Sequence, residues 1–149
     1  MLATIGFESG KHFWSVKLDE YGHENDIFIG VCRRDANNKP LNLAGHVLES
    51  NAAWGWVCTN GAKRWPGNLG SNGQAYGDYS KIGEELGVLL EFKLDAVHLT
   101  FLRNGVSLGV CFDNIPAGET YYPCVSMFNN EATETQVTLN PNAKMPVLA

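Results

Sequence analysis

The sequence has no apolar run approaching the ~20 residues that a membrane-crossing helix needs, which excludes a helical span. It has no C-x-x-C pair either. Its four cysteines, Cys32, Cys58, Cys111 and Cys124, stand singly in the apolar runs GVCR, WVCT, GVCF and YPCVS. That spacing excludes a zinc knuckle and reads as buried free thiols acting as small hydrophobes. No Asn-x-Ser/Thr acceptor occurs, and LATIGFESG after Met1 lacks the basic and continuous apolar regions of a secretory signal. An intracellular address, cytoplasmic or nuclear, is expected. Basic residues adjoin at most in pairs, Arg33-Arg34 and Lys63-Arg64, in a chain of net charge −5, so a nucleic-acid groove lacks its electrostatic footprint. Neither a membrane nor a nucleic acid is an expected partner.

Catalytic signatures are equally scarce. There is no G-x-S-x-G elbow, and the glycine-rich GNLGSNG lacks the lysine and the strand-to-helix setting of a phosphate loop. His12, His23, His46 and His98 share no ligand spacing. The adjacent acids Glu84-Glu85 read as a solvated turn with diverging side chains, unlike the facing carboxylates of a glycosidase, which lie about 5 to 10 Å apart. No enzymatic activity, metal or cofactor is expected.

What the sequence does contain is turns. Glu8-Ser9-Gly10, Glu20-Tyr21-Gly22, Asn60-Gly61, Pro66-Gly67-Asn68, Asn104-Gly105 and Pro116-Ala117-Gly118 punctuate short β-branched and aromatic runs. This is the pattern of an all-β sandwich. Strands are expected near 12–18, 27–33, 54–59, 87–94, 97–103, 106–112, 122–128 and 134–139. Asn104-Gly105 has the chemistry of a type I′ turn, which folds the runs on either side into an antiparallel hairpin. SKIGEELGVLL carries Ile82, Leu86 and Leu89 at helical spacing, but Gly83 and Gly87 limit it to a single turn.

At 149 residues one domain is expected, with its core over 6–139 and an irregular tail over 140–149. The expected interior comprises Trp14, Val16, Phe28, Ile29, Trp54, Leu90, Phe92, Leu99, Phe101, Val110, Phe112, Tyr122, Val125 and Met127, with Trp56 beside Trp54. In the strand before the Asp95-Ala96 turn, Leu94 continues the face of Leu90 and Phe92. The long connections 34–53 and 66–80 are where a binding surface is sought.

Several segments resemble one known family in unbroken order. ESGKHFWSVKL (Glu8 to Leu18) is similar to the opening SG-x-HYW-x-V strand of SPRY domains, and IFIGVCRR (Ile27 to Arg34) to their second G-V strand. AWGWVCTNGAKRW resembles the following strand and hairpin. AYGDYSKIGEELGVLLEFKLDAVHLTFLRNGVSLGVCFDNIP and YYPCVSMF then resemble the rest of the signature. The L-D-x-D aspartates are replaced in EFKLD, Ala96 stands for a common glycine, and no clear PRY segment precedes Glu8.

The resemblance implies a bent sandwich of two antiparallel sheets, monomeric and without catalysis, that binds a protein or short peptide through loops along one rim. Adaptors, including those that select substrates for ubiquitin ligases, carry such domains. Carried over by position, the implied binding residues are Arg33, Arg34, Asn37, Asn38, Leu43 and His46 after the G-V strand, and Phe128, Asn129 and Asn130 after the YYP strand. The arginines would clamp an acidic side chain, the asparagines would meet an extended backbone, and Phe128 would be the apolar anchor. The rival reading is a carbohydrate-binding jelly roll that stacks a sugar on Trp65.

Overall fold

The computed structural model describes residues 6–20, 26–33, 53–59, 61–65, 74–78, 80–128 and 136–145. Every regular element among them is a strand, as the turn spacing predicts. By contacts the chain divides into two units, Met1–Glu8 with Asp26–Tyr79 and Gly118–Phe128, and Ser9–Asn25 with Ser80–Ala117 and Asn129–Ala149. Each carries one five-stranded antiparallel sheet.

In the first unit, β2 (Asp26–Cys32) lies between β3 (Ala53–Val57) and β9 (Tyr122–Phe128), and β4 (Ala62–Arg64) and β5 (Gln74–Ala75) extend the β3 edge. Ile27, Phe28, Ile29 and Val31 are β-branched or aromatic and all buried, which is what a central strand selects. Every residue of β3 is buried. Trp54 and Trp56 are thus both interior, as their spacing suggests, and the Trp56 ring meets Tyr76 edge-on at 5.6 Å. β3 and β4 pair as the hairpin that AWGWVCTNGAKRW suggests, whereas β5 corrects the reading of its segment as a loop.

In the second unit the order is β10-β1-β6-β7-β8, with β1 at Lys11–Glu20, β6 at Glu85–Phe92, β7 at Val97–Arg103, β8 at Val106–Ile115 and β10 at Gln136–Asn140. The single turn foreseen before β6 is closed by Glu84 N–H donating to the Lys81 carbonyl at 3.1 Å. From Glu85 onward the chain is extended. Val16 and Leu18, Leu86, Val88 and Leu90, and Leu99 and Phe101 are fully buried on alternate positions.

Three expected positions are corrected. Leu94 is 97% exposed, because β6 ends at Phe92 and Leu94 sits in the turn closed by the Lys93 N–H to Ala96 carbonyl bond. Phe92 itself is only half-buried. Val110 is 55% exposed while Phe112 is buried, although both sit at even spacing. The register supplies the reason: Thr100 faces Val110 but Leu99 faces Phe112, so an extra residue in β8 moves Phe112 to the other face. The side chain of Met127 lies outside the described residues.

Candidate functional site

Arg33 follows β2 directly and is held by its own chain. Its Nη1 donates to both carboxylate oxygens of Glu119, at 2.8 and 3.0 Å. The guanidinium carbon stands 5.3 Å from the centre of the Trp54 ring, and Trp54 meets Tyr121 edge-on at 5.7 Å. Tyr121 is fully buried and bridges Phe7 through two backbone hydrogen bonds of 2.8 and 3.0 Å. Burial, and then the negative charge of Glu119, hold the Tyr121 phenol protonated far above its ordinary range, against a smaller opposing effect of Arg33.

The arrangement is a cation laid on an aromatic floor with one carboxylate beside it. Arg33 and Glu119 side chains remain 32% and 40% exposed, so this charged fork faces water at its outer edge. The buried ring fixes the guanidinium in place, and its part-exposed outer edge can meet a polar or acidic group. Among the described residues, no three His, Cys, Asp or Glu side chains gather as a metal site would need.

The register decides which of the expected binding residues can meet. Cys32 pairs with Tyr122 and Asp26 pairs with Phe128. Arg33 and Phe128 therefore stand at opposite ends of the β2–β9 pair, about 20 Å apart at the rise of an extended strand. The chain segments that leave these two ends do not start from one place. Arg34, Asn37, Asn38, Leu43, His46, Asn129 and Asn130 lie outside the described residues, as does the side chain of Phe128. Trp65 follows β4 and is half-buried.

Sequence reasoning missed Glu119, Trp54 and Tyr121 as neighbours of Arg33. It also missed a groove of about 430 Å³ on the second unit, walled by Phe13, Ser15, Glu85, Leu102, Asn104 and Lys144 around Gly87. Ser15 Oγ donates to Glu85 Oε1 at 2.6 Å, and the Glu85 N–H donates to Asn104 Oδ1 at 2.9 Å. A Cβ on Gly87 would lie 2.6 Å from the Phe13 ring. The signal was present, since a glycine inside a strand marks a close approach.

Glu84 and Glu85 diverge as expected, toward Arg103 and Ser15, and Glu85 is exposed, but the solvated setting expected of Glu84 is corrected. Glu84 Oε2 pairs with Arg103 Nε at 2.8 Å with side chains only 15% and 19% exposed, so this is a partly buried ion pair and not a solvated turn.

Comparison with known proteins places these features in a family. The chain is 27% identical over 146 residues to an F-box/SPRY domain-containing protein 1 of Culex quinquefasciatus, covering 92% of this chain and 52% of that protein. It is 29% identical over 150 residues to the E3 ubiquitin-protein ligase TRIM9 of Drosophila melanogaster, covering 97% of this chain and 18% of the other. The chain thus spans about half the length of the F-box/SPRY relative. The crystal structure of the SPRY domain of human HERC1 superposes with a TM-score of 0.70 at 18% identity, covering 96% of this chain and 82% of that one. The two-sheet, all-β sandwich expected from the sequence is thereby the fold of the molecule. The SPRY domain family model matches residues 11–140, from the first residue of β1 to the last of β10, and the chain belongs to that family, whose members are typically protein-interaction modules.

Proposed function

We propose that this SPRY domain is the non-catalytic recognition module of a longer adaptor, and that it presents a protein surface or short peptide to a ubiquitin ligase. One observation carries the reading. The relatives that align along almost the entire chain are named F-box/SPRY proteins and an E3 ubiquitin-protein ligase, and the chain spans only 52% and 18% of two of them. The geometry agrees in kind: Arg33, seated on the buried Trp54 ring and 32% exposed, offers a positioned guanidinium to a ligand. Arg34 adds a second cation, Asn129 and Asn130 read an extended backbone, and Phe128 anchors an apolar side chain. The domain acts as a monomer inside the cell, the address suggested by a sequence whose four cysteines stand singly and which has no Asn-x-Ser/Thr acceptor.

The test is affinity capture with the wild-type chain, Arg34→Glu and Phe128→Ala, with folding verified by circular dichroism. Loss of captured proteins by the folded variants is the expected result. Folded variants that capture the same proteins as wild type reject both loop positions.

A further inference from the structure

Cys32 is the last residue of β2, and Cys124 lies in the adjacent strand β9. Cys32 pairs with Tyr122 and Cys124 pairs with Gly30, so the two cysteines are diagonal neighbours on one face of the sheet. Gly30 has no side chain to stand between them. Cys32 Sγ donates to Cys124 Sγ at 2.6 Å, so the two sulfurs are in direct contact with no atom between them; a sulfur–sulfur bond is ~2.0 Å. They are 0% and 2% exposed and pack with Phe28, Ala53 and Val57. The other two cysteines are placed differently. Cys58 Sγ donates to the Ile27 carbonyl at 3.3 Å, and Cys111 belongs to β8 in the other sheet.

We propose that Cys32 and Cys124 form a reversible dithiol–disulfide site that closes on reaction with a small-molecule disulfide such as oxidised glutathione, tying β2 to β9. One cysteine loses its proton and its thiolate attacks a sulfur of the reagent, which expels the first glutathione as a thiolate. The second cysteine, deprotonated in turn, attacks the protein sulfur of the mixed disulfide and expels the second glutathione. Two electrons pass from the protein sulfurs to the reagent, and the two protons end on the released glutathiones.

Burial sets the kinetics. Apolar surroundings, and then Cys32, push the Cys124 thiol well above its ordinary range, so the closed sheet holds little thiolate. Exchange therefore follows local opening of the β2–β9 pair, and the finished bond is shielded from reductants by the same packing. The bond joins residues 92 apart in the chain, which restricts the unfolded state strongly and raises the unfolding temperature.

The test uses the purified chain with oxidised glutathione, acid quench, alkylation of remaining thiols, peptide mapping by mass spectrometry, and thermal unfolding. A bond mapped to Cys32–Cys124, alkylation confined to Cys58 and Cys111, and a higher Tm that dithiothreitol reverses are expected. Cys32→Ala and Cys124→Ala each abolish the Tm rise, and Cys58→Ala keeps it. Four alkylatable thiols, both in native buffer and after refolding in a glutathione redox buffer, would overturn the proposal. So would a bond mapped to any other pair, or an adduct that remains on a single cysteine.

Discussion

Arg33 lies with its guanidinium carbon 5.3 Å from the centroid of the Trp54 ring, while Glu119 takes both hydrogen bonds from its Nη1. The contact with the ring is the term less exposed to screening. Arg33→Ala should cost about 1 kcal/mol and shift tryptophan fluorescence, because it removes the cation from the ring face. Arg33 and Glu119 side chains are 32% and 40% exposed. A double-mutant cycle between them should therefore return a coupling under about 1 kcal/mol. A coupling several times larger would contradict this account.

Glu84 and Arg103 form a pair of the same 2.8 Å length in drier surroundings. Glu84 Oε1 also accepts from the Lys81 N–H at 2.7 Å, and Arg103 Nη2 donates to Ser80 Oγ at 3.2 Å. Glu84→Ala should cost about 2 to 3 kcal/mol in urea unfolding, since it leaves a guanidinium partly buried beside a vacated turn. A loss within experimental error would show that the ion pair contributes nothing net.

Gly87 forms the floor of its groove because the Phe13 ring occupies the space of a side chain. A Cβ there would stand 2.6 Å from that ring and 3.3 Å from Leu102 Cβ. Gly87→Val should destabilise the fold by about 1 to 3 kcal/mol through overpacking. In the double variant Gly87→Val/Phe13→Ala, part of that loss should return.

Tyr121 makes stability depend on alkaline pH. Its folded phenol titrates far above the ordinary value of 10.0 through burial and the Glu119 charge, so the unfolded state releases its proton first. Stability is then unaffected below pH ~10 and falls as pH rises past it, because the folded state binds more protons there. Tyr121→Phe should flatten that fall in urea titrations between neutral and strongly alkaline pH. An unchanged slope would remove Tyr121 from the explanation.

Much of this architecture is legible in the sequence wherever a local pattern carries it. Asn104-Gly105 takes φ values of 48° and 83°, the two positive values that the dipeptide alone suggests. Strand β5 is not legible, since a run of two residues is too short to show a period. The faces of Val110 and Phe112 are hidden by an inserted residue that alternation does not reveal. The site is harder still: Glu119 lies 86 residues beyond Arg33, so only the folded sheet makes them neighbours. The opposite ends taken by Arg33 and Phe128 are likewise a property of register and not of composition.

The hold of Glu119 on Arg33 would give the proposed recognition at that end of the sheet a particular character. An acidic residue arriving on a ligand meets a cation that already has an incumbent. If Arg33 binds as proposed, the outcome is decided by the difference between two carboxylates competing for one guanidinium, so weakly matched acids would be turned away without any steric gate.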